Sequence, residues 1–277
     1  MNKLLSSKPI TDKYYETIQT QLKNISEKPS LAILLVGDKK DSLTYIQLKR
    51  KKCDELGIKS YLHTFTDKCS VNGIIHLIQM LNDNKDINGI IVQLPLPEFY
   101  SESDEYRILN SVNPEKDIDG FHLLNVGNLT LNTPKFIPCT AEGCYELLKY
   151  YQIPIKGKHI VIIGSSKVVG LPLSLLLLHR NATVTICHSR TKGLENHIRS
   201  ADIIVGAVGI PKFIQGDWIK DGAIVIDAGY HPEQCGDIDL ESCAERTVAY
   251  TPVPGGVGPM TINTLILQTI EACESKV

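Results

Sequence analysis

Long apolar runs are missing from this sequence, and so are paired cysteine motifs and a strong net charge. No apolar run approaches the roughly 18 residues that a membrane-spanning helix needs. The stretch from Met1 to Thr20 is polar and contains no apolar segment of the kind found in secretion signals, so we expect a cytoplasmic protein. The formal net charge of -2 provides no global attraction to nucleic acid or to an anionic membrane.

Cysteine usage limits the chemistry further. The eight cysteines include no C-x-x-C pair, and several lie in apolar runs, which is typical of reduced thiols in a cytosolic protein. Cys139 and Cys144 have no histidine partners at metal-ligand spacing, so we expect no bound metal. With 277 residues, 43% of them hydrophobic, the chain can bury a sizeable core in one large domain or two medium ones.

Strand-like and helix-like segments alternate along the first half of the chain, which is typical of parallel β/α units. The hydrophobic patterns predict strands at Leu31–Val36, Ile58–Phe65 and Gly89–Leu94. They predict helices at Ser42–Leu56, which ends before a glycine, and at Val71–Leu81.

A loop-rich stretch from Asn113 to Thr140 contains three prolines and indicates a change of domain. A second β/α series follows it. Its predicted elements are a helix at Glu142–Tyr151, a strand at His159–Ile163, a helix at Val168–His179, strands at Thr183–Cys187, Ile203–Val208 and Ala223–Asp227, and a final helix from about Thr261 to Cys273.

A glycine turn, residues 164–170 with the sequence Gly-Ser-Ser-Lys-Val-Val-Gly, connects the strand at His159–Ile163 to the next helix. A Rossmann unit binds a pyrophosphate at this position, because glycine lets the backbone approach phosphate and the helix N-terminus adds N–H donors. The spacing is not G-x-G-x-x-G, so an ordinary βα turn of some other doubly wound protein stays an alternative.

The end of the following strand indicates which dinucleotide binds. An NAD site usually has Asp or Glu there to bind the ribose hydroxyls, whereas this chain continues His188-Ser189-Arg190-Thr191. A hydroxyl and a guanidinium suit the 2′-phosphate of NADP. The alternative is that Arg190 is only a solvated residue in a turn.

Five segments resemble the bifunctional methylenetetrahydrofolate dehydrogenase/cyclohydrolase family. They are Tyr45–Lys51, Gln93–Pro97, Pro114–Phe121, Phe136–Thr140 and Pro252–Thr261. The resemblance is colinear from about Leu31 to the C-terminus, and the Pro-Gly-Gly-Val-Gly-Pro-Met-Thr segment is highly specific.

The resemblance implies oxidation of 5,10-methylenetetrahydrofolate with NADP, or possible use of NAD, followed by hydrolysis of the methenyl product to 10-formyltetrahydrofolate. It implies an α/β fold of two lobes: a folate-binding catalytic domain at 1–141, completed by 251–277, and a doubly wound Rossmann domain at 142–250. It also implies a homodimer and folate substrates that can carry polyglutamate. A dehydrogenase without cyclohydrolase activity and a non-catalytic nucleotide-binding protein stay open as alternatives.

By resemblance, Lys49 is the catalytic lysine, Gln93 hydrogen-bonds to it, Tyr45 stacks on the folate rings and Asp119 binds the polar edge of the pterin. Tyr45 and Lys49 are four residues apart, so on a helix they share one face. A carboxylate supplies two acceptors for the amine and ring N–H of a pterin. The ordinary alternatives are a solvated basic helix face for Lys49 and a turn residue for Asp119.

The resemblance implies further contacts along the chain. Those to the substrate are Val92, Leu94, Pro254, Gly255, Gly256, Val257, Gly258, Pro259 and Met260. Those to the cofactor are Gly164, Ser165, Ser166, Val169, Gly170, His188, Ser189, Arg190, Thr191, Gly209 and Tyr230. Two of them depart from the family: Ser165 stands where an arginine usually helps to hold the 2′-phosphate, and Tyr230 where a small aliphatic residue is usual. The glycines at 255, 256 and 258 are also compatible with a mere tight connection.

Overall fold

The structure is a computed structural model that describes residues 3–275, apart from the side chain at position 41. Its strands are β1 (Lys3–Leu4), β2 (Ser30–Val36), β3 (Lys59–Phe65), β4 (Gly89–Val92), β5 (His159–Ile163), β6 (Thr183–Cys187), β7 (Ile203–Gly206), β8 (Ala223–Asp227) and β9 (Thr247–Tyr250). Its helices are α1 (Lys8–Asn24), α2 (Lys40–Leu56), α3 (Val71–Asp83), α4 (Glu102–Leu109), α5 (Leu123–Thr130), α6 (Cys139–Tyr150), α7 (Gly170–Leu178), α8 (Leu194–Ser200), α9 (Leu240–Cys243) and α10 (Val257–Glu274). A short 3-10 helix covers Gly216–Trp218.

The chain divides into two compact units. The first, which we call the six-stranded unit, comprises the chain up to Tyr14 and Pro138–Thr264. The second, the three-stranded unit, comprises Tyr15–Ile137 and the chain from Leu265 onward. The two-lobed α/β fold predicted from the sequence is confirmed. Its domain limits, 1–141 with 251–277 and 142–250, stay a prediction.

The N-terminal segment pairs with the six-stranded sheet. Strand β1 adds to the edge of the six-stranded sheet, where Lys3 pairs with Ala249 and Leu4 with Tyr250. The amide of Leu5 continues the pairing with a hydrogen bond of 2.8 Å to the carbonyl of Tyr250. A strand of two residues has no periodicity, so the sequence alone did not indicate it.

The six-stranded sheet is parallel throughout and has the order β1-β9-β8-β7-β5-β6. Strand β5 lies between β6 and β7, so the chain leaves β5 toward one side for β6 and continues on the other side with β7. Ligands of doubly wound sheets bind at the carboxyl ends of the strands at such a reversal of strand order. Residues 160–163 of β5 are buried, as expected for a strand covered on both faces.

The three-stranded sheet is also parallel, with the order β3-β2-β4. Every residue of β2 is buried. A further segment pairs with β4 at one point, where Ile90 pairs with Asp117 in parallel and donates its amide to the carbonyl of Lys116 at 2.7 Å. The carboxyl ends of β2 and β4 lie at the same edge of the sheet, because the two strands are parallel.

Several boundaries differ from those predicted, and two of the differences lie in segments that contain several prolines. Helix α5 lies inside the stretch predicted to be loop-rich, and its first turn is capped by His122, whose Nδ1 accepts the amide of Leu124 at 3.1 Å. Helix α10 begins at Val257 instead of near Thr261. Pro259 is compatible with this start, because N–H groups in the first turn of a helix have no intrahelical acceptor and proline therefore loses no hydrogen bond there.

Candidate functional site

Helix α2 places Lys49 in the interior of the three-stranded unit. The side chain is 5% exposed, and its Nζ donates to Oε1 of Gln93 at 3.1 Å. Gln93 follows β4, and its backbone N–H donates to the carbonyl of Leu34 at 2.9 Å. In its side chain, Nε2 donates to the carbonyl of Leu94 at 2.7 Å. With Nε2 engaged in this way, Oε1 is the amide atom that faces the ammonium group. The predicted contact between Lys49 and Gln93 is therefore present in the structure.

The basic run that begins at Lys49 is not one solvated face. Lys49 is buried whereas Arg50 and Lys51 are exposed, and Lys52 lies over the ring of Tyr15 at 4.8 Å from its centroid. Because a buried ammonium costs free energy unless it is paired, its position needs a reason that a surface charge does not. Tyr45 is half-buried one helical turn before Lys49.

Asp119 lies in the turn that follows Asp117, the residue paired with Ile90 of β4. The amide of Gly120 donates to the carbonyl of Asp117 at 3.0 Å and closes this turn. Asp119 is buried, and Gly120 after it has a φ of 69°, so the chain turns sharply there. Asp119 is thus two residues beyond the point at which its segment pairs with β4, the strand that Gln93 follows.

Lys116 anchors this segment to the end of α3. Its ammonium group donates at 2.7–3.0 Å to three backbone carbonyls, those of Leu81, Asn82 and Asn84. These carbonyls lie at a helix C-terminus, where a cation is favoured.

Asp117 holds the turn that follows Asp119. Its carboxylate accepts the amides of Phe121 at 3.2 Å and His122 at 2.7 Å, together with Nδ2 of Asn125 at 2.8 Å. Burial raises the pKa of Asp117 to about 7; the three hydrogen bonds oppose this shift and the charge of Asp119 adds to it. The sequence did not single out Asp117, because its partners become apparent only once the turn is folded.

Gln268 on α10 fixes the same segment from another side. Its Nε2 donates to the carbonyls of Ile118 at 2.5 Å and Ile137 at 3.0 Å, and its Oε1 accepts the amide of Ile137 at 2.8 Å. Three buried side chains, those of Lys116, Asp117 and Gln268, therefore connect residues 116–118 to the surrounding structure. Asp119 is therefore presented on a rigid backbone, which is the property that a binding carboxylate needs.

In the six-stranded unit, the glycine turn connects β5 to α7 with very close backbone contacts. Gly164 has a φ of 121°, and a Cβ there would lie 2.0 Å from the carbonyl oxygen of Ala207. A Cβ on Gly170 would lie 1.9 Å from the carbonyl oxygen of Gly164. Ser165 and Ser166 are exposed, and no acceptor within residues 3–275 faces their amides. Exposed amides before a helix N-terminus suit a pyrophosphate.

The turn after β6 is held by its own side chains. Thr191 Oγ1 accepts the amide of His188 at 2.9 Å, and His188 Nδ1 accepts the amide of Arg190 at 3.2 Å. Arg190 and Ser189 are exposed. The guanidinium of Arg190 makes no hydrogen bond or ion pair with any described residue, so it can bind an anion.

The other predicted cofactor contacts follow the next two strands of this sheet. Gly209, with a φ of 70°, comes after β7, and Tyr230 is half-buried after β8. The glycine turn, Arg190, Gly209 and Tyr230 therefore follow four neighbouring strands at one edge of the parallel sheet. This is the edge at which doubly wound proteins bind dinucleotides.

The proline- and glycine-rich segment 252–261 also lies in the six-stranded unit. Gly255 has a φ of 101°, and its carbonyl accepts both the amide of Ser7 at 2.8 Å and the hydroxyl of Ser7 at 2.7 Å. Gly256 packs so closely that a Cβ would lie 2.5 Å from the carbonyl oxygen of Pro252. The backbone of this segment is thus held in one conformation. The first turn of α10 follows it and consists of Val257, Gly258, Pro259 and Met260.

Comparison with known proteins agrees with this architecture in both halves of the chain. The protein-family model described as tetrahydrofolate dehydrogenase/cyclohydrolase, catalytic domain, matches residues 5–119. The family model described as tetrahydrofolate dehydrogenase/cyclohydrolase, NAD(P)-binding domain, matches residues 138–277. The chain belongs to the tetrahydrofolate dehydrogenase/cyclohydrolase family.

Individual members of the tetrahydrofolate dehydrogenase/cyclohydrolase family are similar over nearly the whole chain. The bifunctional protein FolD of Alcanivorax borkumensis is 41% identical over 98% of this chain and 97% of its own length. A crystal structure of the bifunctional FolD enzyme of Campylobacter jejuni has a TM-score of 0.93 at 39% identity and covers 100% of both chains. The Trypanosoma brucei enzyme, solved with NADP cofactor and an inhibitor, has a TM-score of 0.93 at 31% identity and covers 99% of this chain and 98% of its own.

Two further features bear on the predicted partners. No helix among residues 3–275 is long and apolar enough to cross a bilayer. In the same part of the chain, no three His, Cys, Asp or Glu side chains are grouped so as to hold a metal ion.

The raised pKa of Asp117 predicts a definite pH dependence of stability. The folded protein keeps a proton on Asp117 up to about pH 7, whereas the unfolded chain releases it near the ordinary pKa of 3.8, so this group's contribution to stability falls as pH rises between those values. The variant Asp117→Asn lacks the group. We expect the stability of this variant relative to the parent to improve steadily from pH 4 to pH 7 in urea unfolding.

Asp104 provides a control of opposite sign in the same unit. Hydrogen bonds from Ser101 lower its pKa, so its contribution is present above the unfolded pKa and is lost as pH falls. Relative to the parent, Asp104→Asn should lose stability as pH rises to the ordinary pKa of 3.8 and should change little above it. A flat difference for Asp117→Asn between pH 4 and pH 7 would show that Asp117 has an ordinary pKa.

Proposed function

We propose that this chain oxidises 5,10-methylenetetrahydrofolate to 5,10-methenyltetrahydrofolate with NADP and then hydrolyses the product to 10-formyltetrahydrofolate. The observation that carries the proposal is the contact of the buried Lys49 with the half-buried Gln93 in a member of this family. Relatives named bifunctional over the full length of this chain support both activities. A spectrophotometric assay with methylenetetrahydrofolate and each dinucleotide tests the oxidation, and added methenyltetrahydrofolate tests the hydrolysis separately.

In the three-stranded unit, the proposed roles follow from the chemistry of the side chains. The ring of Tyr45 stacks on the flat folate, and the carboxylate of Asp119 accepts hydrogen bonds from the exocyclic amine and ring N–H of the pterin. The backbone at Val92 and Leu94, on either side of Gln93, completes the proposed substrate contacts. The rigid support of residues 116–118 favours this role for Asp119, because an accurately placed acceptor loses little entropy on binding.

Lys49 is proposed to serve the hydrolytic step. Loss of hydride leaves the methenyl carbon as a cation, and water adds to that carbon and releases a proton. The hydroxyl on this carbon then loses its proton and becomes the formyl C=O as the bond from the carbon to N5 breaks, N5 gains a proton, and the formyl group stays on N10. A lysine held by Gln93 can remove and return protons at a fixed position during these transfers.

In the six-stranded unit, the glycine turn is proposed to bind the pyrophosphate, through the exposed amides of Ser165 and Ser166. NADP, when bound, supplies the hydride acceptor. Arg190 and Ser189 are proposed to bind its 2′-phosphate, which compensates for Ser165 at the position of the family's usual arginine. Weaker use of NAD is compatible with this arrangement.

The remaining contacts of this unit follow the same proposal. Val169 and Gly170 complete the pyrophosphate turn, His188 and Thr191 hold Arg190 in place, and Gly209 and Tyr230 contact the cofactor. Substrate contacts at residues 254–260 belong to the proposal as well. So do the domain limits 1–141 with 251–277 and 142–250, a homodimer, a cytoplasmic location and the use of polyglutamylated folates.

A dehydrogenase without hydrolysis is the second candidate, and the buried contact of Lys49 with Gln93 argues against it. A non-catalytic nucleotide-binding protein would leave that contact and the support of Asp119 without a purpose.

The variant Lys49→Met should lose hydrolysis of methenyltetrahydrofolate by about 10²- to 10⁴-fold, the usual contribution of general acid–base catalysis. Dehydrogenase activity should stay measurable, because hydride transfer needs no proton from lysine. Lys51→Met is the matched control, since Lys51 is exposed on the same helix. Hydrolysis at the parent rate in Lys49→Met would refute the role of Lys49.

The variant Asp119→Asn keeps the shape of the side chain and removes its charge. Loss of a charged hydrogen bond, about 1.5–3 kcal/mol, should weaken folate binding roughly ten- to a hundredfold. Both activities should suffer together, because both use the same bound pterin. Urea unfolding checks that the fold survives, and an unchanged KM for folate would make Asp119 a simple turn residue.

The variant Arg190→Ala should raise the KM for NADP roughly ten- to a hundredfold and leave NAD use nearly unchanged, since only NADP loses a charged partner. The preference should also decline with added salt. Lys192→Ala is the control, because Lys192 is exposed two residues further along the same loop. Equal losses with both dinucleotides would mean that Arg190 has a structural role, and a parent enzyme that prefers NAD would make Ser165 the decisive residue.

A further inference from the structure

Two buried aspartates lie beyond the carboxyl end of the six-stranded sheet, and neither has a role in the proposed reaction. Asp227 ends β8 and is 1% exposed, and Asp237, in the loop that follows, is 0% exposed. Buried carboxylates are costly unless hydrogen bonds compensate for the lost water. Their partners therefore indicate what they hold in place.

Asp227 organises the loop that carries Asp237. Its Oδ1 accepts the amides of Gly229 at 2.9 Å and Asp237 at 3.0 Å, and its Oδ2 accepts the amide of Ile238 at 2.9 Å. A Cβ at Gly236 would lie 2.1 Å from Asp227 Oδ2, and a Cβ at Gly229 would lie 2.4 Å from Asp237 Oδ1. The two glycines are what allows the loop to close around both carboxylates.

Asp237 in turn holds the turn after β7, residues 207–209. Its Oδ2 accepts the amides of Val208 at 2.6 Å and Gly209 at 2.9 Å. Its Oδ1 lies 2.8 Å from Nε2 of His231, which is buried enough to be largely shielded from water. Both oxygens of the side chain are therefore engaged, one by the turn and one by the imidazole.

The turn held by Asp237 is in direct contact with the glycine turn. The carbonyl of Ala207 packs against Gly164, where no Cβ would fit, and the amide of Ala207 is bonded to the carbonyl of Ile163 at 2.8 Å. A shift of Val208 and Gly209 would therefore displace Ala207 and, with it, the backbone proposed to bind the pyrophosphate. The link passes entirely through close backbone contacts, which deform little.

We propose that Asp237, oriented by His231, is a positioning residue for dinucleotide binding. It fixes the turn 207–209 and, through Ala207, the glycine turn, without contacting the dinucleotide itself. The inference rests on the proposed function, because it assumes that the glycine turn binds a dinucleotide. It adds two residues, Asp237 and His231, to those that determine how well NADP is held.

The test compares variants that remove the acceptor, its charge or the imidazole. Asp237→Ala removes the acceptor for both amides, and Asp237→Asn keeps one oxygen without the charge. His231→Phe keeps the ring bulk without a donor, and His231→Gln restores a donor. We expect the dissociation constant and the KM for NADP to rise about tenfold or more in Asp237→Ala and less in Asp237→Asn. His231→Phe should also weaken binding, and His231→Gln should recover most of it.

The readout separates positioning from stability. NADP binding is measured directly by fluorescence titration, and hydrolysis of added methenyltetrahydrofolate, which consumes no dinucleotide, should stay within about twofold of the parent in each variant. Asp202→Asn is the control. Asp202 also accepts a backbone amide, that of His159 at 3.0 Å, but at the amino end of the sheet.

Four results would overturn the proposal. If NADP binding is unchanged in Asp237→Ala and His231→Phe, the turn does not need Asp237. A parallel loss of NADP binding and hydrolysis, or an equal effect in Asp202→Asn, would show a general loss of stability instead. If Asp237→Ala does not fold, the two His231 variants decide the question. If the parent itself binds no dinucleotide, the proposed function fails, and the inference fails with it.

Discussion

Parallel strand pairing is the constraint on which the arrangement of both units depends. Because every strand of a parallel sheet runs the same way, the loops that follow the strands all begin at one edge. In the three-stranded unit this edge carries Gln93, and α2 brings Lys49 to Gln93. In the six-stranded unit it collects the glycine turn, Arg190 and the loops beyond β7 and β8.

Both units contain buried ionisable side chains that hold backbone groups. Lys116 binds helix carbonyls, and Asp117, Asp227 and Asp237 bind amides. Loops cannot form the regular hydrogen bonds of strands and helices, so buried side chains must supply those bonds. Such hydrogen bonds give an irregular loop a single conformation.

Local features of the sequence were sufficient for most of the fold and for part of the site. Buried strands such as β5 and β8 form short continuous apolar runs, and a glycine stop marks the end of α2, where Gly57 has a φ of 71°. The contact of Lys49 with Gln93 was available only from resemblance, because 44 residues separate the two. Asp237 was missed for the same reason: its partners Val208 and Gly209 lie 29 and 28 residues away, and no local pattern connects them.

The backbone contact between Gly164 and Ala207 has a consequence for how this protein can evolve. Any substitution at Gly164 or Gly170 introduces a Cβ about 2 Å from a carbonyl oxygen of the main chain, and backbone cannot repack as a side chain does. Adaptation to a different cofactor must therefore leave these two positions unchanged. The accessible route runs through exposed side chains such as Ser165, Ser189 and Arg190, which can be exchanged one mutation at a time without disturbing the loop that carries them.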